Sequence, residues 1–238
     1  MALNLIGIGL DNEKDITVKG LELVRRSKKI YLEIYTSKLS CSVKDLEKFY
    51  SKKIIESSRT MIENKLDSIL DEAKKDEISL LIIGDVFSAT THIDILLRAK
   101  EKKIKVNVVN NASILTAVGV TGLELYKFGR IISIPLDNKN LDSPYQYFLE
   151  NQKLGLHSLF LLDIKPNRLM AVNEAVSYLI EKGFDKNTMV VGCAALGSSS
   201  PEIKYCKASE LKLKKYPQCL IIPGKLHFKE EEALNLYK

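Results

Sequence analysis

The chain has 238 residues, 45% of them hydrophobic and 28% charged, with a formal net charge of +6 at pH 7. No run approaches the roughly 20 apolar residues of a membrane span, and the chain turns acidic too soon after Met1 for a signal peptide. We therefore expect a globular protein of one large or two small domains, in the cytoplasm and without a membrane partner.

Neither the cysteines nor the histidines form a metal-binding pattern. The chain has no CxxC pair, and its three histidines do not have the spacing of metal ligands. We expect reduced thiols and no metal. The lysines are spread along the chain, and no RNA- or DNA-recognition motif is present, so we expect no direct contact with nucleic acid. The cysteines are Cys41, Cys193, Cys206 and Cys219.

The first half of the chain alternates between apolar strands and amphipathic helices. The predicted strands cover residues 2–10, 29–35, 78–85 and 104–111. The predicted helices cover residues 15–29, 43–54, 61–76, 91–103 and 113–125, with Asp15 or Thr17 as the cap of the first. Such alternation, with strands that are apolar throughout, predicts an α/β fold with a largely parallel sheet and helices on its faces.

The second half of the chain repeats this style without repeating the sequence. We predict strands over residues 157–165, 187–198 and 218–225, and helices over residues 170–183 and 227–238. A domain boundary is expected near residues 110–140. We predict an N-terminal α/β domain of residues 1–110 and a C-terminal α/β domain of residues 111–238.

Three strand-to-helix turns in the first half carry glycines or polar residues, namely "GIGLDNEKD", "GDVFSATTH" and "NNASI". Ligands of parallel sheets bind beyond the carboxyl ends of the strands, so these turns should lie along one edge of one sheet. The first turn lacks the third glycine of G-x-G-x-x-G, which disfavours a classical dinucleotide site. Ser113, in the third turn, suits a helix cap that leaves N–H groups for a polar ligand.

The second turn, "GDVFSATTH", is the sharpest signal in the sequence. It places a carboxylate, three hydroxyls and an imidazole within eight residues, at Asp85, Ser88, Thr90, Thr91 and His92. Helix capping explains one hydroxyl but not the cluster. We therefore expect this turn to line a ligand site.

The chain resembles the diphthine synthases, a family of the tetrapyrrole-methylase-like superfamily. The resemblance runs from the first strand to the tail and is most specific in "GDVFSATTH" and in "YKFG" followed by "SIP". It implies two α/β domains of tetrapyrrole-methylase type, with S-adenosylmethionine in the cleft between them, and a homodimer. The implied reaction methylates the amino nitrogen of a 3-amino-3-carboxypropyl-histidine in translation elongation factor 2, the second step of diphthamide biosynthesis.

The resemblance also implies a set of site residues. Thr90, Thr91 and His92 are candidates for catalytic or substrate-holding roles, and His92 is the candidate proton acceptor. Two of the predicted contacts, Leu196 and Gln218, are placed by the family motifs near them, Gly-Ser after Leu196 and Ile-Pro-Gly after Gln218. The predicted cofactor contacts are Leu10, Asp85, Ser88, Ser113, Ile114, Leu162, Leu196 and Gln218.

Three alternatives remain open at the level of sequence. The number of methyl groups is one of them, because archaeal-type members add three to the nitrogen and eukaryotic-type members also form a methyl ester. The short chain, without obvious insertions, favours the archaeal type. The second alternative is a tetrapyrrole or corrin methylase of the same fold. The third is a protein that docks on the elongation factor without methylating it.

Overall fold

The computed structural model describes residues 1–88, 92–165 and 167–238, apart from the side chain of Glu63. The chain divides into two compact units, Met1–Leu115 and Thr116–Lys238. The boundary predicted after residue 110 precedes this division.

The N-terminal unit alternates strands and helices as the sequence predicts. Its strands are β1 (Ala2–Gly7), β2 (Lys29–Glu33), β3 (Ile55–Ser57), β4 (Glu77–Ile82) and β5 (Val106–Val109). Its helices are α1 (Val18–Arg26), α2 (Val43–Tyr50), α3 (Arg59–Ala73) and α4 (Ile93–Glu101), and the division between the units falls within the short α5 (Ile114–Ala117). Thr17 caps α1 by accepting a hydrogen bond from the N–H of Gly20, as one of the two predicted caps. The short β3 was not predicted.

The five strands form one sheet in the order β3-β2-β4-β1-β5. Every pairing in it is parallel, as predicted. Successive residues of β1 enter different clusters, Leu5 in one and Ile6 in the other. Because successive side chains of a strand point to opposite faces, the sheet has a hydrophobic core on each face. This burial on both faces explains why the strands read as continuous apolar runs.

The C-terminal unit contains a second sheet. Its strands are β6 (Ile132–Ile134), β7 (Ser158–Leu162), β10 (Met189–Ala194), β11 (Glu202–Lys207) and β12 (Gln218–Ile222), and β8 (Ile164–Lys165) and β9 (Arg168–Leu169) form a separate hairpin. Its α-helices are α6 (Ser143–Lys153), α7 (Val172–Glu181) and α8 (Phe228–Asn235). The strand predicted over residues 157–165 covers both β7 and β8, whereas the strands β6, β9 and β11 and the helix α6 were not predicted.

The second sheet differs from the first in strand direction. Its order is β11-β10-β12-β7-β6, and only the β6–β7 pair is parallel. The two halves therefore share the alternation of strands and helices but not the direction of the strands. The difference arises because β11 follows β10 through a short turn, which reverses the chain without a crossover helix.

The helix predicted over residues 113–125 is shorter than expected. α5 ends at Ala117, and a 3-10 turn over Val118–Thr121 follows it. Gly122 then adopts a left-handed conformation with φ of +83° and donates its N–H to the carbonyl of Gly119. A left-handed glycine ends a helical segment, so the apolar residues beyond it belong to a separate turn.

No helix in the described ranges is long and apolar enough to cross a lipid bilayer.

Candidate functional site

The three turns predicted to meet do meet, at the carboxyl edge of β4, β1 and β5. The first two are joined by backbone hydrogen bonds, from Gly84 N–H to the carbonyl of Gly9 at 2.7 Å and from Gly9 N–H to the carbonyl of Gly84 at 3.3 Å. A β-carbon at Gly7 would lie 2.6 Å from the carbonyl oxygen of Gly84. Glycine at position 7 therefore allows this close approach of the two backbones. We call the joined turns, residues 7–15, 84–88 and 110–114, the platform.

Asp85 joins two of the turns through a carboxylate that accepts four hydrogen bonds. Oδ1 accepts the N–H of Phe87 at 3.1 Å and the hydroxyl of Ser88 at 3.1 Å. Oδ2 accepts the side-chain amide of Asn110 at 2.9 Å and the N–H of Asn111 at 3.1 Å. Burial disfavours ionisation, but these bonds outweigh it and hold the pKa of Asp85 below its usual value. The carboxylate thus organises the platform, and its lone pairs are used within the protein.

Asn111 ties the third turn to the first, a role that sequence reasoning did not assign to it. Its side-chain amide donates to the carbonyls of Gly7 and Asp15, each at 3.0 Å. The side chain of Asp15 in turn accepts the N–H of Leu10 at 3.1 Å and the N–H of Asp11 at 2.7 Å. The signal that could have identified Asn111 was the Asn-Asn pair at the end of a predicted strand.

Gly84 leaves the backbone of the platform uncovered by a side chain. This glycine has φ of +85°, and a β-carbon built on it would meet only Leu10 at 3.7 Å and the carbonyl oxygen of Ala112 at 3.8 Å. The backbone is therefore bare at this point, beside an apolar side chain and a carbonyl dipole. An apolar wall combined with carbonyl and carboxylate oxygens suits a partly apolar cation such as S-adenosylmethionine.

The remaining predicted residues of the N-terminal unit lie near the same edge. Ser113 is buried and accepts the N–H of Leu115 at 3.2 Å, and Ile114 begins α5. Because α5 has only four residues, it does not supply the extended helix terminus expected after Ser113. His92 is buried at the start of α4 without capping it through its side chain. Thr90 and Thr91 lie outside the described residues.

The three predicted residues of the C-terminal unit meet at one end of the second sheet. Gln218 begins β12 opposite Ala194, the last residue of β10, and Leu162 ends the neighbouring β7. Leu196 follows β10 by two residues and is buried. Strands that run in opposite directions bring the start of β12 beside the ends of β7 and β10.

At this end of the second sheet, the side chain of Gln218 and the backbone of Ala195 affect how a cofactor could bind. The side chain of Gln218 is engaged within the protein, accepting the N–H of Val172 at 2.8 Å and donating to the carbonyl of Lys215 at 2.7 Å. Any contact of Gln218 with a cofactor is therefore expected to be through its backbone. Ala195, before Leu196, has a left-handed φ of +50°. Such strain is concentrated at functional turns, and nothing in the sequence indicated it.

A second buried carboxylate, Glu230 at the start of α8, explains the "YKFG" and "LHFKEEE" motifs structurally. Oε1 accepts the N–H of Glu124 at 2.9 Å and Nε2–H of His157 at 2.8 Å. Oε2 accepts the ammonium of Lys127 and the N–H of His227, the latter at 2.8 Å. Burial opposes ionisation, yet these four donors lower the pKa of Glu230 from 4.5 to about 2. We call these five residues the Glu230 network.

The chain matches the tetrapyrrole (corrin/porphyrin) methylases over residues 2–212. It is 39% identical to the diphthine methyl ester synthase of Dictyostelium discoideum, covering 100% of this chain and 98% of that protein. It is 40% identical to that of Saccharomyces cerevisiae, covering 88% and 79%. A crystal structure of diphthine synthase superposes with a TM-score of 0.94 at 34% identity, covering 100% of this chain and 96% of that one.

Proposed function

This chain belongs to the tetrapyrrole (corrin/porphyrin) methylases, and from this premise we propose that it is a diphthine synthase. It transfers methyl groups from S-adenosylmethionine to the 3-amino-3-carboxypropyl-histidine of translation elongation factor 2. The observation that carries the proposal is the identity of about 40% to diphthine methyl ester synthases over nearly the whole chain. The platform supports it, because the turns that resemble this family are hydrogen-bonded to one another at one edge of the sheet.

We assign the cofactor to residues of both units. In the N-terminal unit they are Leu10, Asp85, Ser88, Ser113 and Ile114, and in the C-terminal unit Leu162, Leu196 and Gln218. When bound, S-adenosylmethionine supplies a methyl group on a sulfonium centre with a built-in leaving group. Asp85 acts by fixing the turns that face the ligand, since its own lone pairs are used. Orientation of this kind is a large part of catalysis when the leaving group needs no protonation.

The substrate amine has to lose a proton before it can act as a nucleophile, because it is an ammonium near neutral pH. We assign His92 as the acceptor of this proton. It is the last residue of "GDVFSATTH" and directly precedes α4, which puts it near the edge that carries the platform. Thr90 and Thr91 are proposed to hold the substrate carboxylate or amine.

We propose that the product is the methyl ester, formed by three methylations on nitrogen and one on the carboxylate. The short chain favoured the archaeal type, which stops at three. Yet the chain covers 98% of the Dictyostelium discoideum ester synthase. Length therefore does not separate it from enzymes named as ester-forming, and the relatives' names support the fourth methylation. The homodimer implied by the resemblance stays a prediction, to be tested by light scattering.

Intact mass spectrometry tests the proposal. The protein is mixed with S-adenosylmethionine and elongation factor 2 that carries the 3-amino-3-carboxypropyl-histidine. We expect a gain of four methyl increments, one of which is lost on mild alkaline hydrolysis of the ester. A gain that stops at three, stable to alkali, would establish the archaeal type instead.

Two further measurements separate the alternatives if no methyl is added. Calorimetric titration with S-adenosylmethionine that gives no heat would favour a protein that docks on the elongation factor without methylating it. Cofactor binding together with methylation of a corrin or other tetrapyrrole would favour the pigment methylase. As a control, Asp94→Ala removes an exposed carboxylate from α4 and should leave the mass gain unchanged.

A further inference from the structure

Glu33 is a third buried carboxylate, and its surroundings differ from those of Asp85 and Glu230. Asp85 and Glu230 each accept four hydrogen bonds. Glu33, the last residue of β2, is fully buried, and neither of its oxygens has a hydrogen-bond partner of acceptable geometry among the described residues. Its Oε2 instead lies 2.5 Å from Nε2 of His92. The imidazole of His92 is therefore its close partner.

Such an arrangement is costly to the fold. A buried carboxylate without hydrogen bonds loses its hydration and regains little of it from the protein. A side chain retained only for stability would be expected to use its oxygens as Asp85 does, by joining backbone N–H groups. Glu33 joins no element through such bonds in the described ranges. Its position is better explained by its effect on the imidazole beside it.

The pair also lies at the edge of the sheet that carries the platform. β2 is the direct neighbour of β4 and runs parallel to it, so both strands end at this edge. The turn after β4 contributes Asp85 and Ser88 to the platform and continues to His92. The platform thus occupies the edge over β4, β1 and β5, and the Glu33–His92 pair lies beside it, over β2 and β4.

We propose that Glu33 is a positioning residue that makes His92 the proton acceptor of the reaction, an inference that rests on the proposed function. The carboxylate lies against Nε2 of the ring, and its negative charge favours the positive charge that the ring gains with the proton. In the step, an N–H bond of the substrate ammonium breaks and an N–H bond forms at Nδ1 of His92, directly or through one water. The electron pair left on the amine is then available to bond the methyl group, which S-adenosylmethionine would supply when bound as its carbon–sulfur bond breaks and that bonding pair stays on sulfur. The proton passes to solvent before the next methylation.

The test compares Glu33→Gln with the native protein. Glutamine keeps the volume and removes the charge. We expect methylation turnover to fall about 10²-fold or more, while the dissociation constant for S-adenosylmethionine stays within about twofold. Glu33→Asp, which keeps a carboxylate, should recover part of the loss. The matched control is Glu56→Gln, an exposed carboxylate on the adjacent β3, which should match the native protein.

A chemical rescue adds a readout that a purely structural role would not move. His92→Gly should lose turnover and regain part of it when imidazole is added, because a free base can take the place of the side chain. Glu33→Gln, which still has its imidazole, should not respond. Melting temperatures establish that each variant is folded, and Glu33→Gln alone carries the test if His92→Gly does not fold.

Three outcomes decide the matter. If Glu33→Gln turns over like the native protein, Glu33 does not position the proton acceptor. If cofactor affinity falls together with turnover and imidazole has no effect, the pair only supports the turn after β4, and the inference is overturned. If the native protein itself adds no methyl to verified substrate, the proposed function fails, and the inference with it.

Discussion

The substitution Glu230→Gln tests whether the Glu230 network holds α8 in the C-terminal unit. In the native protein each carboxylate oxygen accepts two hydrogen bonds. A glutamine must turn its NH₂ group toward one of these donor pairs. The tautomer of His157 cannot adapt, because its Nδ1 accepts the N–H of Gly224 at 2.9 Å and the hydrogen therefore sits on Nε2. Two buried donors lose their acceptor in either orientation.

The stability lost in Glu230→Gln can be calculated from the unpaired donors or from the pKa of Glu230, and the two values agree. A buried donor left without an acceptor costs about 1–3 kcal/mol, so two cost about 2–6 kcal/mol. The same four bonds lower the pKa of Glu230 from 4.5 to about 2, which corresponds to about 3 kcal/mol at 1.36 kcal/mol per pH unit. A loss of about 3 kcal/mol should lower the melting temperature by about 6–12 °C in a protein of this size.

The sign of the pH dependence follows from the lowered pKa. The folded state holds Glu230 ionised more strongly than the unfolded state does, so its contribution is complete above pH 4.5 and is lost as the pH falls toward 2. Burial also lowers the pKa of His157, so the unfolded state takes up its proton first as the pH falls below about 6.5. Both groups make the native protein less stable in acid.

The assay is urea denaturation followed by circular dichroism at pH 7 and at pH 3, with hydrogen exchange measured over α8. We expect Glu230→Gln to unfold earlier at pH 7, and its difference from the native protein to shrink at pH 3. The control is Glu231→Gln, an exposed neighbour on the same helix. A Glu230→Gln protein within 0.5 kcal/mol of the native one at pH 7 would refute the reasoning, because the four bonds would then contribute nothing measurable.

Three further predictions concern the platform, the glycines and the thiols. Asp85→Ala should weaken S-adenosylmethionine binding by calorimetry tenfold or more, because it releases four donors in two turns; unchanged affinity would contradict the platform's role. Gly84→Ala should lower the free energy of unfolding by about 1–2 kcal/mol, because alanine disfavours the left-handed backbone. Gly122→Ala should lower it clearly more, since its β-carbon would also lie 2.1 Å from a side chain of α8. Thermal melts of the two variants measure the difference. Cys193 and Cys219 are buried, so a thiol reagent should modify them only after unfolding; rapid labelling of the native protein would show that these strands open.

Local sequence accounts for most of the N-terminal unit. The cap at Thr17, the apolar strands and the polar turns after them depend on residues near one another in the chain. A parallel sheet buried on both faces needs continuous apolar strands, so the pattern indicates both the strands and their packing. The prediction that three turns share one edge is confirmed, because parallel strands necessarily end at the same side of their sheet.

The second sheet was less accessible to this reasoning. A run of apolar residues indicates a strand but not its direction, and β11 alternates between partly buried and exposed residues too weakly to be recognised. The left-handed residues Gly122 and Ala195 also escaped prediction. Strand direction is decided by pairing across the sheet. The same pairing decides which residue, such as Ala195, adopts a left-handed conformation despite its side chain.

The sequence by itself determined most elements of the N-terminal unit, though not β3 or the length of α5, and it determined which turns carry polar groups. Tertiary structure alone decided what each buried carboxylate does. Asp85 meets Asn110 and Asn111, Glu230 meets Lys127, and Glu33 meets His92 across long stretches of chain. Local sequence cannot distinguish a carboxylate whose oxygens accept four hydrogen bonds from one that lies beside an imidazole without such bonds. That difference depends on strand order, which brings distant residues together only once the whole sheet has formed.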